Sequence, residues 1–145
     1  TVRGVVYQPV SLVGMMPASE RQKQRITIPG VVKKIEEQTN GQITMDDFYS
    51  IPCASKITDF IETFKGGKRY RLSSHFACGV GTYVFKKENG ELIPITRFID
   101  VEGLLDYLDK IREELKTKNK LIVRAKILRA LPKFINMKKK PKELN

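Results

Sequence analysis

Tryptophan is absent from this 145-residue chain, histidine occurs once and cysteine twice. One histidine cannot supply a His-rich metal site. Two cysteines can neither complete a four-thiolate site within the chain nor staple a disulfide scaffold. Aromatic residues amount to only 8%, and no Phe/Tyr pair stands in a strand of the RNA-stacking kind, so a nucleic-acid module has no support beyond charge. No apolar run approaches the ~18 residues that a membrane span requires. The nearest, Val5 to Ala18, is broken by Pro9, Gly14 and Pro17. A secretory signal is not apparent either, since Thr1 and Arg3 run straight into a strand-like segment. The expected compartment is the cytoplasm.

Apolar residues are present at 41%, ample for a core, and charged residues at 30% with a net charge of +11. A domain near this size buries about 68–70% of its unfolded surface. The positive excess suits a phosphorylated cofactor, nucleic acid or an anionic bilayer surface. Its carriers are scattered, however: Arg21, Lys23 and Arg25 cluster, while Lys33, Lys34, Lys65, Lys68, Arg69 and Arg71 fall on expected solvent faces.

The pattern along the chain is mixed α/β. Val2–Tyr7 is rich in β-branched residues on both faces, as in a buried parallel strand, and Gln8-Pro9 ends it. Such a strand needs partners that nothing earlier in the chain provides, which points to a piece of a longer protein. A loop with Met15 and Met16 follows, and Ser19 to Arg25 reads as polar and basic. Thr27 or Ile28 opens a helix with Pro29 in its first turn, and Asn40-Gly41 stops it with Gly41 in the left-handed conformation. A turn at residues 45–49 precedes a second helix, capped by Ser55, with Ile57, Phe60, Ile61 and Phe64 at 3–4 spacing. Arg69–Leu72 and Thr82–Phe85 read as strands. Asn89-Gly90 forms a hairpin turn that returns Leu92–Phe98 as a partner. Asp100 caps the longest helix, with Val101, Leu104, Leu105, Leu108, Ile111 and Leu115 on one stripe. A final helix from Lys120 is expected to bury Leu121, Ile122, Ala125, Leu128 and Leu131 until Pro132 breaks or kinks it. Residues 138–145 form a frayed basic tail.

Few residues suggest chemistry. Cys53 follows Pro52, and Cys78 precedes Gly79, so both have open backbone around sulfur that suits an iron–sulfur or other metal ligand. Free cysteine equally packs as a small hydrophobe. His75 shares the second loop, as a ligand, an acid–base group or a hydrogen-bonded structural residue. Gly79-Val80-Gly81 lacks the third glycine and the following helix of a phosphate loop. Gln8, at the carboxyl end of a parallel strand, is placed either to read a ligand or to cap a turn.

Six phrases in fixed order carry a resemblance: residues 2–11, Glu20-Arg21 with Arg25-Ile-Thr-Ile-Pro29, Ile35-Glu-Glu-Gln-Thr39, Asp47-Phe-Tyr-Ser-Ile-Pro-Cys53, Ala77-Cys-Gly-Val-Gly-Thr-Tyr-Val-Phe85 and Pro94-Ile-Thr-Arg-Phe-Ile-Asp-Val-Glu-Gly103. Over about residues 2–110 the chain resembles the carboxyl-terminal part of radical S-adenosylmethionine enzymes of the archaeal tetraether lipid synthase type, a group also described as methylating a methanopterin precursor. The CxxxCxxC motif of that family is missing, so the chain alone should be inactive. The resemblance implies a division into residues 1–28, the last strand or strands of a partial TIM-type barrel with its loop; residues 29–137, an α+β extension with a β-hairpin and two carboxyl-terminal helices; and the tail. It also implies S-adenosylmethionine near Gln8 and Pro9. Cys53 and Cys78 become ligands of a 4Fe-4S cluster completed by the upstream part of the same polypeptide. Arg21, Arg25, Met15 and Met16 would then meet a lipid or pterin substrate. Coupling of archaeal lipid chains is the expected reaction, with contact to a membrane surface; radical methylation of a pterin precursor is the alternative. A non-catalytic basic module binding RNA or protein is the third reading, and nucleic acid is not the favoured partner.

Overall fold

The computed structural model describes residues 4–9, 12–70 and 74–141. Among them run α1 (Ala18–Gln24), α2 (Ile28–Gln38), β1 (Tyr49–Ser50), α3 (Ala54–Lys65), β2 (Val80–Gly81), β3 (Val84–Lys86), β4 (Leu92–Pro94), α4 (Val101–Leu115) and α5 (Lys120–Phe134). Single 3-10 turns lie at Met45–Asp47, Ile51–Cys53 and Ile95–Arg97. The strands make two separate antiparallel pairs, β1 with β2 and β3 with β4.

Helix α2 begins where its chemistry dictates. The Thr27 hydroxyl accepts from the Gly30 N–H, and Pro29 occupies the first turn, where its missing donor costs nothing. Its end differs in detail from expectation, because Asn40 (φ 50°) turns left-handed first and Gly41 (φ 73°) follows. Gly41 N–H donates to Glu36 O and Asn40 N–H to Glu37 O, the paired bonds that satisfy a helix's last carbonyls. The Asp100 carboxylate likewise accepts from Gly103 N–H to start α4. Ser55 does not cap α3. The 3-10 turn Ile51–Cys53 runs directly into the helix, leaving Cys53 at the cap position and Ser55 inside the first turn.

The hairpin forms, but with a three-residue loop. Lys87 N–H bonds Glu91 O, Gly90 N–H bonds Lys87 O, and only Gly90 (φ 87°) takes the positive φ. Its return strand stops at Pro94 and gives way to a 3-10 turn, instead of continuing to Phe98. Phe98 and Ile99 instead meet the end of α5. An Ile99–Ile135 bridge is flanked by Asp100 N–H to Phe134 O and Asn136 N–H to Phe98 O.

Helices α3, α4 and α5 form the packed part. Ile111, Leu115 and Val123 are its buried centre, with Phe60, Phe64, Tyr107 and Ile127 against it. Fully burying an aliphatic side chain of this size contributes about 1.5–3 kcal/mol. The α4 stripe is therefore as expected. The α5 stripe is not: Leu121, Ile122, Ala125 and Leu128 are exposed, Leu131 is half-buried, and Val123 is the residue removed from water. Helix α5 is apolar on two sides, so spacing alone could not choose the inward one. Pro132 is carried within the helix, which continues to Phe134.

Elsewhere the structure departs from the expected pattern or adds to it. Residues 4–9 have no regular structure, with Val5, Val6 and Tyr7 exposed; among the described residues no strand stands beside them, and a lone strand has no bonds to form. The rest of that segment lies outside the described residues, as do Arg71 and Leu72 of the Arg69–Leu72 expectation; Arg69 and Tyr70 are not in a strand. Residues 18–24, expected only as a polar and basic stretch, form helix α1 without burying a residue. The start of the tail is seated instead of frayed: Pro141 is buried, and Lys138, Lys139 and Lys140 share an open groove with Lys87, Leu92, Ile93 and Arg97.

Candidate functional site

The β1–β2 pair aligns Tyr49 with Gly81 and Ser50 with Val80. One more bond, Ile51 N–H to Gly79 O at 3.1 Å, continues it. Cys53 lies two residues beyond Ile51 on one side, and Cys78 immediately precedes Gly79 on the other. The two cysteines, 25 residues apart in sequence, are therefore brought to the same end of this small sheet. Gly79 leaves room for the Ile51 side chain, whose Cδ1 would lie 2.6 Å from a Cβ at that position.

The two thiols differ in setting. Cys53 is half-buried at the start of α3, and Cys78 is exposed; both are free. Burial pushes the Cys53 thiol up, and the positive charge of Lys56 offsets part of that. The neutral thiol is thus favoured in this chain, and a metal would have to displace its proton. Cys78 sits in a tight turn, where its N–H bonds His75 O at 2.9 Å. His75 Nδ1 accepts from Ala77 N–H at 3.3 Å, and its ring stacks obliquely on Phe76 at 4.3 Å. The histidine therefore shapes its own turn. Among the described residues no group of three His, Cys, Asp or Glu side chains could hold a metal ion. Two thiolates suit iron–sulfur ligation by their donor chemistry, but they form only part of a ligand set.

At the opposite end of β1 stands a group that sequence reasoning missed. Asp47 is 1% exposed. Its Oδ2 accepts from Thr44 N–H at 2.7 Å, Thr44 Oγ1 at 3.0 Å and Arg97 at 3.0 Å, and its Oδ1 accepts from Thr96 Oγ1. The Thr44–Asp47 spacing was a legible capping signal. The partnership with Thr96 and Arg97, about fifty residues on, was not. Burial holds the Tyr49 phenol above its ordinary range, and the negative charges of Glu102, Asp100 and Asp47 add to it. Tyr49 is thus a neutral hydroxyl at the end of β1 away from the cysteines, opposite Gly81.

The other expected site residues are not gathered here. Gln8 and Pro9 are exposed in the irregular stretch 4–9, Met15 is fully exposed and Met16 half-buried. Arg21 lies on α1 and Arg25 caps its end, both exposed. No described contact joins any of these six to Cys53 or Cys78. No helix among the described residues is long and apolar enough to cross a membrane.

No family model matches the chain. Over an alignment of 146 residues that takes in 99% of its length, it is 45% identical to the 7,8-dihydro-6-hydroxymethylpterin dimethyltransferase of Methanocaldococcus jannaschii, and it spans 29% of that protein's length.

Proposed function

We propose that this chain is the carboxyl-terminal region of a radical S-adenosylmethionine enzyme that methylates a pterin precursor. The observation that carries the reading is the 45% identity along 99% of the chain to a protein named as a pterin dimethyltransferase. Lipid-chain coupling, the other activity implied by the motif resemblance, has no comparable support, and neither has a non-catalytic binding module.

In this reading Cys53 and Cys78 are two ligands of a 4Fe-4S cluster, and the remaining ligands come from outside the described residues. When bound, S-adenosylmethionine and iron–sulfur chemistry supply the means of attacking an unactivated C–H bond. This chain's residues position and enclose. The β1–β2 pairing holds the two thiols at one end. Gln8 and Pro9 stand at the carboxyl end of a barrel strand completed by preceding polypeptide, facing S-adenosylmethionine. Met15 and Met16 contribute an apolar wall, and Arg21 and Arg25 meet polar groups of the substrate once that polypeptide covers them.

The test uses the full-length protein, reconstituted anaerobically with iron and sulfide. Cys53→Ala and Cys78→Ala should each lower bound iron by about four atoms, one cluster, and abolish methylation of 7,8-dihydro-6-hydroxymethylpterin. Full iron loading in both variants would return the cysteines to a packing role. Absence of pterin methylation by the fully loaded wild-type protein would overturn the substrate assignment.

A further inference from the structure

Helix α5 carries two apolar faces, and the packed core uses one. Val123, Ile127 and Phe134 turn toward α4 and its neighbours. On the opposite side Leu121, Ala125, Leu128 and Pro132 recur at intervals of four, three and four residues, which aligns them along the outer ridge. Ile122 adjoins that ridge. Leu121 is 73% exposed, Ile122 64% and Leu128 62%. Met137, just past the helix, is exposed as well.

The charge around this ridge has one sign. Helix α5 contains Lys120, Arg124, Lys126, Arg129 and Lys133 and no acidic residue. Lys126 reaches Glu114 on α4. Lys120, Arg124, Arg129 and Lys133 form no ion pair with any described residue. At 100° per residue, Arg124 falls on one flank of the leucine line, and Arg129 and Lys133 on the other.

We propose that the outer face of α5 docks on an anionic lipid surface. A convex apolar ridge with cations on both flanks has the form of a helix lying in the headgroup layer, its leucines entering the acyl boundary and its long basic side chains reaching back to phosphates. Charge complementarity selects this occupant over a second copy, because two α5 helices face to face would oppose arginines and lysines with no acid between them. The ridge lies on α5, apart from the cysteine end of the β1–β2 sheet, and the proposal does not rest on the enzymatic reading. A single amphipathic face of this size gives reversible association.

The experiment is co-sedimentation of the full-length protein with vesicles of phosphatidylcholine alone or mixed equally with phosphatidylglycerol. Binding should require phosphatidylglycerol and fall at high salt. Leu121→Gln with Leu128→Gln, and separately Arg124→Gln with Arg129→Gln, should each weaken it by about tenfold or more. The melting temperature of both variants should stay at the wild-type value, because the altered side chains are exposed. Failure to sediment with anionic vesicles would overturn the proposal. So would wild-type binding by both variants, which would place the contact elsewhere. A large loss of melting temperature in the leucine variant without vesicle binding would show that another part of the polypeptide covers the ridge.

Discussion

Asp47 carries more of the local architecture than any other single polar side chain described. A carboxylate withdrawn from water loses hydration, and that loss is offset only if its oxygens find donors. Thr44, Thr96 and Arg97 supply them, joining the turn before β1 to the 3-10 turn after β4. Arg97 is 45% exposed, so solvent screens its part of the interaction. Replacing Asp47 with Ala leaves the Thr44 amide and the Arg97 guanidinium without their acceptor. We expect a loss of about 3 kcal/mol, the lower end of the range for breaking a buried pair, read as a lower urea midpoint at unchanged slope. A change below about 1 kcal/mol would mean that water replaces the carboxylate without strain.

At the scale of elements, α4 and α5 show why two helices of equal length were not equally legible. The α4 stripe is flanked by charge on every other side, so only one face can be buried. Helix α5 offers two apolar faces, and the choice falls to whichever fits α4. Ile111 and Val123, both 0% exposed, meet in that interface. Ile111→Ala should cost about 2–5 kcal/mol through the cavity it leaves. Leu121→Ala, on a residue of similar size, should change stability by no more than about 0.5 kcal/mol. Thermal or urea unfolding of the two variants side by side checks the assignment, and similar losses in both would place Leu121 in the core after all.

On the scale of the whole molecule, burial is uneven. No residue among 4–9 and 12–27 is buried, whereas the α3–α4–α5 unit holds an apolar centre, with Lys56–Asp106 and Arg112–Asp59 ion pairs between α3 and α4. Helix α1 presents Arg21 and Lys23 to solvent. Trypsin acting on this 145-residue chain should therefore cut first between Arg21 and Arg25, since local opening there breaks few contacts. The fragment from residue 26 onward should keep the helical circular dichroism and melting temperature of the intact chain. Earlier cleavage within α4, or loss of the melting transition after the first cut, would show that residues 4–25 support the packed unit. The full-length protein should resist the same cut if preceding polypeptide covers this face.

Composition and spacing were sufficient for whatever depends on neighbours in sequence. The Thr27 and Asp100 caps, the left-handed stop at Asn40-Gly41, the Gly90 hairpin and the inward stripe of α4 all follow from local sterics and a helical period, so the order of residues was enough to reveal them. The placement of Cys53 and Cys78 at one end of the β1–β2 pair required that pairing across an intervening helix, which no local pattern encodes. The Asp47–Thr96–Arg97 cluster and the inward face of α5 were decided in the same way, by which surfaces the folded chain could press together. Residues 4–9 mark the opposite limit. Their β-branched pattern favours a strand, but a strand is completed by hydrogen bonds to a neighbour, and among the described residues there is none beside them.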